Sequence, residues 1–298
     1  MPISSNVPNH LINGANAHFL NAVRVTAPTW QRVAAPMSLD GNSQLLVDLG
    51  SPPMPVNSKT GFTIQDMIEK SLTVTPESWN VGISISYNAI ADDRTGSLET
   101  KARQAGNNFA KHINKIVFQA LNAGDGSTYG LCYDGNEFFD ASHIDSGAHY
   151  QTAQSNLGTA ALSRTAFYAA IAAMRKFRDD QGEFTEFMPD LLVVDVDGAD
   201  VGFNLVNNER QYDTGNAALN PYTAMDDMSI AWMDTDSWAL LCTKEIVKPM
   251  IVVLREDPHL QAAWFDPEGP DGGSYIFKFY ARYNVAYGDW RLAYLGKT

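Results

Sequence analysis

The residues best equipped for chemistry lie between Asp140 and His149. Asp140, His143, Asp145 and His149 are carboxylates and imidazoles, the groups that hold divalent metals and exchange protons. Asp140-Ala141-Ser142-His143 also sets a carboxylate three residues from an imidazole. A metal-dependent or other hydrolase using Asp140, His143 and His149 is therefore one reading. A catalytic constellation needs rigid elements beneath it, yet this stretch is rich in Gly and Ser and shows neither helical nor strand periodicity. Its spacing also fits none of the usual zinc patterns.

Other candidates are weaker. Asp195-Val196-Asp197-Gly198-Ala199-Asp200 resembles a calcium loop, but such a loop needs Gly at its sixth position and Glu at its twelfth. Those positions hold Asp200 and Val206. A strand end with Asp197 or Asp200 capping the next helix explains the run better. The chain contains no GxxxxGK phosphate loop and no GxSxG nucleophile elbow. His10, His18, His112 and His259 are dispersed, and two cysteines, Cys132 and Cys242, are too few for a disulfide framework or a zinc site. They are expected as buried thiols. The sequence thus points to no catalytic residue, no metal and no cofactor.

The elements that would have to position such residues are clearer. Leu98, Ala102, Ala105, Phe109, Ile113, Ile116 and Ala120 recur in steps of three and four, one stripe of a helix. The helix should run from Ser97, a candidate N-cap, to Asn122, before the stop Ala123-Gly124-Asp125-Gly126. At 1.5 Å per residue it is a rod of about 39 Å. A second helix is expected near 163–180, a buried strand at 189–194, and a helix at 198–206. Upstream, Val81, Ile83, Ile85 and Tyr87 alternate with Gly82, Ser84, Ser86 and Asn88, which reads as a strand. Paired with the run from Gly61 to Val74, it should form a hairpin with one apolar face. The C-terminal part is strand again: Ile246–Leu254, Ala262–Phe265, and the alternation Phe277, Phe279, Ala281, Tyr283, Val285, Tyr287.

The first 60 residues lack a strong pattern. They carry the run Gly50-Ser51-Pro52-Pro53-Met54-Pro55, which resists helix and sheet alike, and read as an extended arm. Within it, 17–25 could form a short amphipathic helix, and Trp30 a short apolar anchor. Such an arm makes sense if it docks on a neighbour. The class is α+β.

Composition narrows the function. Lys and Arg number 21 against 34 Asp and Glu, a net charge of −13. That balance excludes a protein whose work is gripping phosphates, because such binding needs clustered cations. No apolar run is long enough to span a bilayer, and the first residues lack the basic stretch and apolar core of a secretory signal. Charged residues make up only 18 % while aromatics reach 11 %, a composition suited to surface hidden against partners.

Three segments carry a family resemblance. Tyr133-Asp134-Gly135-Asn136-Glu137-Phe138-Phe139-Asp140-Ala141-Ser142-His143 is similar to a Tyr-Asp-Gly-x-x-Phe-Phe-Asp-x-x-His pattern in the major head subunit of Mu-like phages and prophages (the gpT type). The run 240–251, Leu-Leu-Cys-Thr-Lys-Glu-Ile-Val-Lys-Pro-Met-Ile, resembles the family's lead into its C-terminal strands. The run 280–294, Tyr-Ala-Arg-Tyr-Asn-Val-Ala-Tyr-Gly-Asp-Trp-Arg-Leu-Ala-Tyr, resembles its closing strand. Trp30-Gln31-Arg32-Val33-Ala34 stands where the family has a comparable Trp-Gln. The likeness covers 125–298 and is thinner before that, where the proline-rich arm and the hairpin depart from the pattern.

The resemblance implies a Hong Kong 97-type capsid fold. Its parts would be an N-terminal arm (1–55), an E-loop hairpin (56–90), a peripheral domain with a long spine helix (91–184), an axial domain (185–240), and peripheral-domain sheet and C-terminal strands (241–298). It implies a major capsid protein of a tailed phage that assembles with copies of itself, as pentamers and hexamers, into an icosahedral shell. The shell would enclose double-stranded DNA without sequence-specific binding and without a membrane. A scaffolding protein, a portal and a decoration protein are candidate partners. Assembly is expected in the bacterial host cytoplasm, with the protein ending in the virion. Inter-subunit contact candidates are Trp30, Val81, Ile83, Ile85 and Tyr87. Other virion roles, such as a decoration or tail protein, stand beside this reading.

Overall fold

The structure is a computed structural model that describes residues 7–26, 28–41, 43–48, 70–92, 96–144, 150–210, 219–269 and 272–298. The chain opens with helix α1 (Asn9–Val25), one 3-10 turn (Thr29–Arg32), and strands β1 (Ala34–Ser38), β2 (Gln44–Asp48), β3 (Lys70–Val74) and β4 (Glu77–Ser86). Helices α2 (Tyr87–Ala91) and α3 (Ser97–Asn122) follow, then β5 (Leu157–Gly158), α4 (Arg164–Met174), β6 (Leu191–Val194) and α5 (Ala199–Val206). The chain closes with β7 (Asp226–Ser229), β8 (Trp238–Leu241), β9 (Met250–Asp266), β10 (Ser274–Tyr287) and β11 (Ala293–Gly296).

Helix α3 has the bounds its periodicity dictates, and all seven stripe residues are buried. Its N-cap is Gly96 rather than Ser97, at φ +71°, a left-handed conformation that suits glycine. Helix α5 is within one residue of its expected bounds, while two other helices differ more. Helix α4 ends at Met174, although Phe177 beyond it is still buried. Helix α1 spans 17 residues where a short helix inside an arm was expected.

That helix does not belong to a free arm. It lies along α3 and buries Ala15, Phe19 and Ala22. The Phe19 ring stacks on Phe279 at 4.1 Å and meets Phe109 edge-on at 5.6 Å. Gly106 sets the approach, since a Cβ there would strike the Phe19 carbonyl oxygen and come within 2.8 Å of the Ala22 Cβ. An apolar face this complete is more stable docked on its own chain than left for a neighbour.

Two sheets share one core. The four-stranded sheet runs β1-β9-β10-β4, with β1 parallel to β9 and the other pairs antiparallel. β10 buries every second side chain, as its alternation requires. The five-stranded sheet runs β5-β11-β8-β6-β7, and every residue of β6 and β8 is buried. It gathers distant segments, because β11 at the C-terminal end pairs with β8 and with β5. Residues 293–296 therefore lie in the sheet of β6 to β8, not with β9 and β10. Strand β9 begins at Met250, and Ile246, expected inside it, is fully exposed.

The hairpin also pairs differently from the expectation. β3 pairs with β2, Gln44↔Val74 to Asp48↔Lys70, while β4 pairs with β10 over all its ten residues. Residues 61–69 lie outside the described residues. The alternation correctly marks a half-buried strand as far as Ser86, whereas Tyr87 and Asn88, expected to continue it, open α2; periodicity carries no information on the partner.

Candidate functional site

Asp140 and His143, the described members of the Asp140–His149 cluster, are engaged in hydrogen bonds within the chain. Asp145 and His149 lie outside the described residues. His143 is 1 % exposed, and neither its side chain nor that of Asp134 has exposed surface. Its Nδ1 lies 2.7 Å from Asp134 Oδ2 and its Nε2 3.1 Å from Asn156 Oδ1. The Asn156 amide is oriented unambiguously, for its Nδ2 donates to the carbonyls of Phe138 (2.8 Å) and Trp290 (3.1 Å). Its Oδ1 also accepts the Asp140 backbone N–H at 2.9 Å.

Both imidazole nitrogens thus face oxygen acceptors, and Nε2 must donate. A metal needs a ring lone pair aimed at open space, and His143 offers none. The ring is further held flat against Trp290, centroids 4.1 Å apart and planes 1° apart. Asp140 is occupied too, its Oδ1 accepting the Ser142 N–H at 2.7 Å. This buried knot ties the loop after α3 to the segment before β11.

The remaining candidates resolve in the same way. Asp195 Oδ1 accepts the Gly198 N–H at 2.9 Å and Oδ2 the Asp236 N–H at 3.3 Å, so it closes the turn ahead of α5. Burial, then Asp134, pushes the Cys132 thiol well up, and its Sγ lies 3.4 Å from the Gly288 carbonyl. Burial, then Asp190, pushes Cys242 up likewise. Neither supplies a ready thiolate. His112 Nδ1 meets the Tyr283 hydroxyl at 2.8 Å, and burial, then Lys115, lowers its pKa. Among the described residues no group of three His, Cys, Asp or Glu could hold a metal, and no helix is long and apolar enough to cross a membrane.

The contact candidates divide. Trp30 is 5 % exposed, with its backbone N–H donating to Asn114 Oδ1 at 2.9 Å, and Ile85 is 2 % exposed. Both are used up in the chain's own core, because the 3-10 turn and the β4–β10 ladder bring them onto α3 and its neighbours. Val81 and Ile83 are half-buried, and Tyr87 is 48 % exposed beside Phe265 and Tyr275. These three keep surface that a neighbour could cover.

Sequence reasoning missed a second tie. Lys297 Nζ bridges Asp125 (3.0 Å) and Asp234 (3.3 Å), joining the end of α3, the turn before β8 and the tail after β11. Partial burial opposes the lysine charge, but the hydrogen bonds and charges of Asp125 and Asp234 outweigh it and raise its pKa. Asp234 is held below the ordinary carboxylate value by the Asn122 side chain and, against some burial, by Lys297. Residues so distant in sequence give no local signal.

The comparisons agree with a shell subunit. The family model "Mu-like prophage major head subunit gpT" matches residues 9–169. That range includes Trp30 and the Tyr133–His143 segment but not the two C-terminal segments, so the match is placed further toward the N-terminus than the resemblance. Among solved structures, a chain from the procapsid of bacteriophage JBD30 is similar with TM-score 0.59 and 18 % identity, covering 97 % of this chain and 74 % of that one. The capsid of an empty GTA particle gives 0.60 and 12 %, covering 91 % and 89 %. A virus-like particle from Pyrococcus furiosus gives 0.54 and 10 %, covering 96 % and 99 %. No curated protein matches the chain.

Proposed function

This chain belongs to the Mu-like prophage major head subunit family, and from that premise we propose that pentamers and hexamers of it close into an icosahedral shell around double-stranded DNA. It is a phage major capsid protein with the Hong Kong 97-type fold, and as a head component it belongs to the virion. The observation that carries the proposal is the family match over more than half of the chain. The hydrogen bonds of His143 and Asp140 support a structural rather than a catalytic role for the loop that carries them.

The mechanism is geometric. Helix α3 would be the spine of the peripheral domain, stiffened by α1 and the four-stranded sheet, and the five-stranded sheet would be the axial domain. The E-loop would be the hairpin whose base is β2 and β3, and the arm would be the residues before α1. Val81, Ile83 and Tyr87 would meet a neighbouring subunit. A scaffolding protein, a portal and a decoration protein would complete the head, with assembly in the host cytoplasm. The charge of −13 suits a container that does not grip its polyanionic contents.

Negative-stain microscopy of the purified chain tests this reading. Shells, rings or capsomers are expected; a population that stays monomeric under every assembly condition would overturn it.

A further inference from the structure

We propose that β4 is completed by β4 of a second copy of this chain, the two strands antiparallel about a twofold axis through Gly82. The inference rests on the head-subunit reading and specifies one contact within it. β4 stands at the end of its sheet, with β10 on one side and no described residue paired on the other. Such an edge presents a row of backbone donors and acceptors that an extended strand satisfies.

Proteins usually blunt edges of this length with charge or proline. Here nine consecutive residues, Ser78-Trp79-Asn80-Val81-Gly82-Ile83-Ser84-Ile85-Ser86, carry neither. In a chain of net charge −13 this strip is a place where two copies can approach without like charges meeting.

The strip is also complementary to itself. With Gly82 opposite Gly82, Val81 faces Ile83, Asn80 faces Ser84, Trp79 faces Ile85 and Ser78 faces Ser86. Every apolar residue then meets an apolar one on the helix side, and every polar residue a polar one on the other. A slip of one residue mismatches the faces throughout. A slip that centres the pair on Val81 sets Glu77 opposite Ile85. Trp79, Val81 and Ile83 are half-buried, so this apolar row is unfinished on the free side of the strand. A recess of about 170 Å³ lies between β4 and α3, lined by Trp79, Asn80, Val81, Asn108, Phe109 and His112, without a carboxylate. In the stated register Ile83 and Ile85 of the second copy lie opposite Val81 and Trp79 at this recess.

Cysteine cross-linking of assembled full-length protein tests the register. A Cβ at Gly82 meets nothing within 4 Å, and the native cysteines are buried. Directly opposed residues on antiparallel strands have Cα atoms within disulfide reach. Under mild oxidation, particles of G82C should give a covalent dimer. S78C should not link to itself, because those two positions would lie about 27 Å apart at 3.4 Å per residue. The dimer yield of G82C should exceed that of S78C on the order of tenfold or more. Should G82C fail to assemble, the double variant N80C/S84C reads the same register through its two opposed pairs.

Shells of G82C or N80C/S84C that stay uncross-linked, or S78C shells that link to themselves, overturn the proposal and leave the head-subunit reading standing. The same holds if the β4 amides that point away from β10 already resist hydrogen exchange in dissociated wild-type subunits, which would place a segment of the same chain on the edge. Failure of the wild type to form any assembly counts against the head-subunit reading instead.

Discussion

The five-stranded sheet is built as an interior. Its strands run two to four residues, β6 and β8 have no exposed residue, and α5 packs on β6 and β7 while α4 packs on β11. Its edges are β5, two residues long, and β7, which carries Asp226 and Asp227, the former paired with Arg32 at 3.1 Å. The four-stranded sheet is a plate with strands of 17, 14 and 10 residues, covered on one face by α1 and α3. One of its edges is guarded: β1 is short and contains Pro36. Beyond the reach of β1, β9 carries Pro258, where a missing N–H costs no ladder bond. Its other edge, β4, has neither shortness, proline nor charge past Glu77. In these two sheets shortness, charge or proline protects each edge except β4.

Breaking the covered face of the plate should have the largest effect. Phe19→Ala removes the ring between Phe109 and Phe279 and should cost about 3–5 kcal/mol in denaturant unfolding. A loss below about 1 kcal/mol would mean that α1 is a detachable arm after all. At the knot behind the five-stranded sheet, His143→Ala removes the imidazole from the buried Asp134 carboxylate, leaves it the Asn136 donors, and should cost about 1–3 kcal/mol. A variant of unchanged stability would reopen the catalytic reading of this loop.

Lys297→Met should cost less than about 1 kcal/mol, since the pair is partly solvated. Its pH signature is more telling. A depressed folded-state pKa at Asp234 contributes stability above the ordinary carboxylate value, lost as pH falls through the depressed one. The wild type should therefore keep an advantage over Lys297→Met at neutral pH that shrinks below about pH 4. An advantage that grew on acidification would contradict the assignment.

The smallest effect on the free subunit bears most directly on the two sheets. Ser84→Lys, on the exposed side of β4, should change unfolding stability by no more than about 0.5 kcal/mol while suppressing shell formation. Ser229→Lys, on the protected edge β7, should leave both unchanged. Equal effects of the two lysines on assembly would erase the distinction between the edges.

Much of the frame was legible in one dimension. The stripe from Leu98 to Ala120 sets α3 because a 3.6-residue period has one helical solution, and the alternation of β10 places its buried face for a similar reason. Helix α1 was under-read, because Asn9, Asn13, Gly14 and Asn16 dilute its apolar face and only contact with α3 makes the face whole. The Asp140–His143 cluster carried the right residue types for a site, and the structure gives them other partners. Nothing in the sequence announced Asn156 as the group that fixes the imidazole.

Local pattern thus determined the strongly periodic segments, the helix from Leu98 to Ala120 and the strand from Phe277 to Tyr287, and which side of each is apolar, since both follow from the few torsions a residue can adopt and from solvent exclusion. By its net charge the sequence also argued against a protein whose work is gripping phosphates. Partner choice lay beyond it. That β4 pairs with β10 while β3 pairs with β2, that β11 returns to β8, and that Asp134, His143 and Asn156 close on one another were decided by tertiary packing. A strand's hydrogen-bonding edge is the same backbone whatever its side chains, so register and partner come from the surfaces the whole chain brings together.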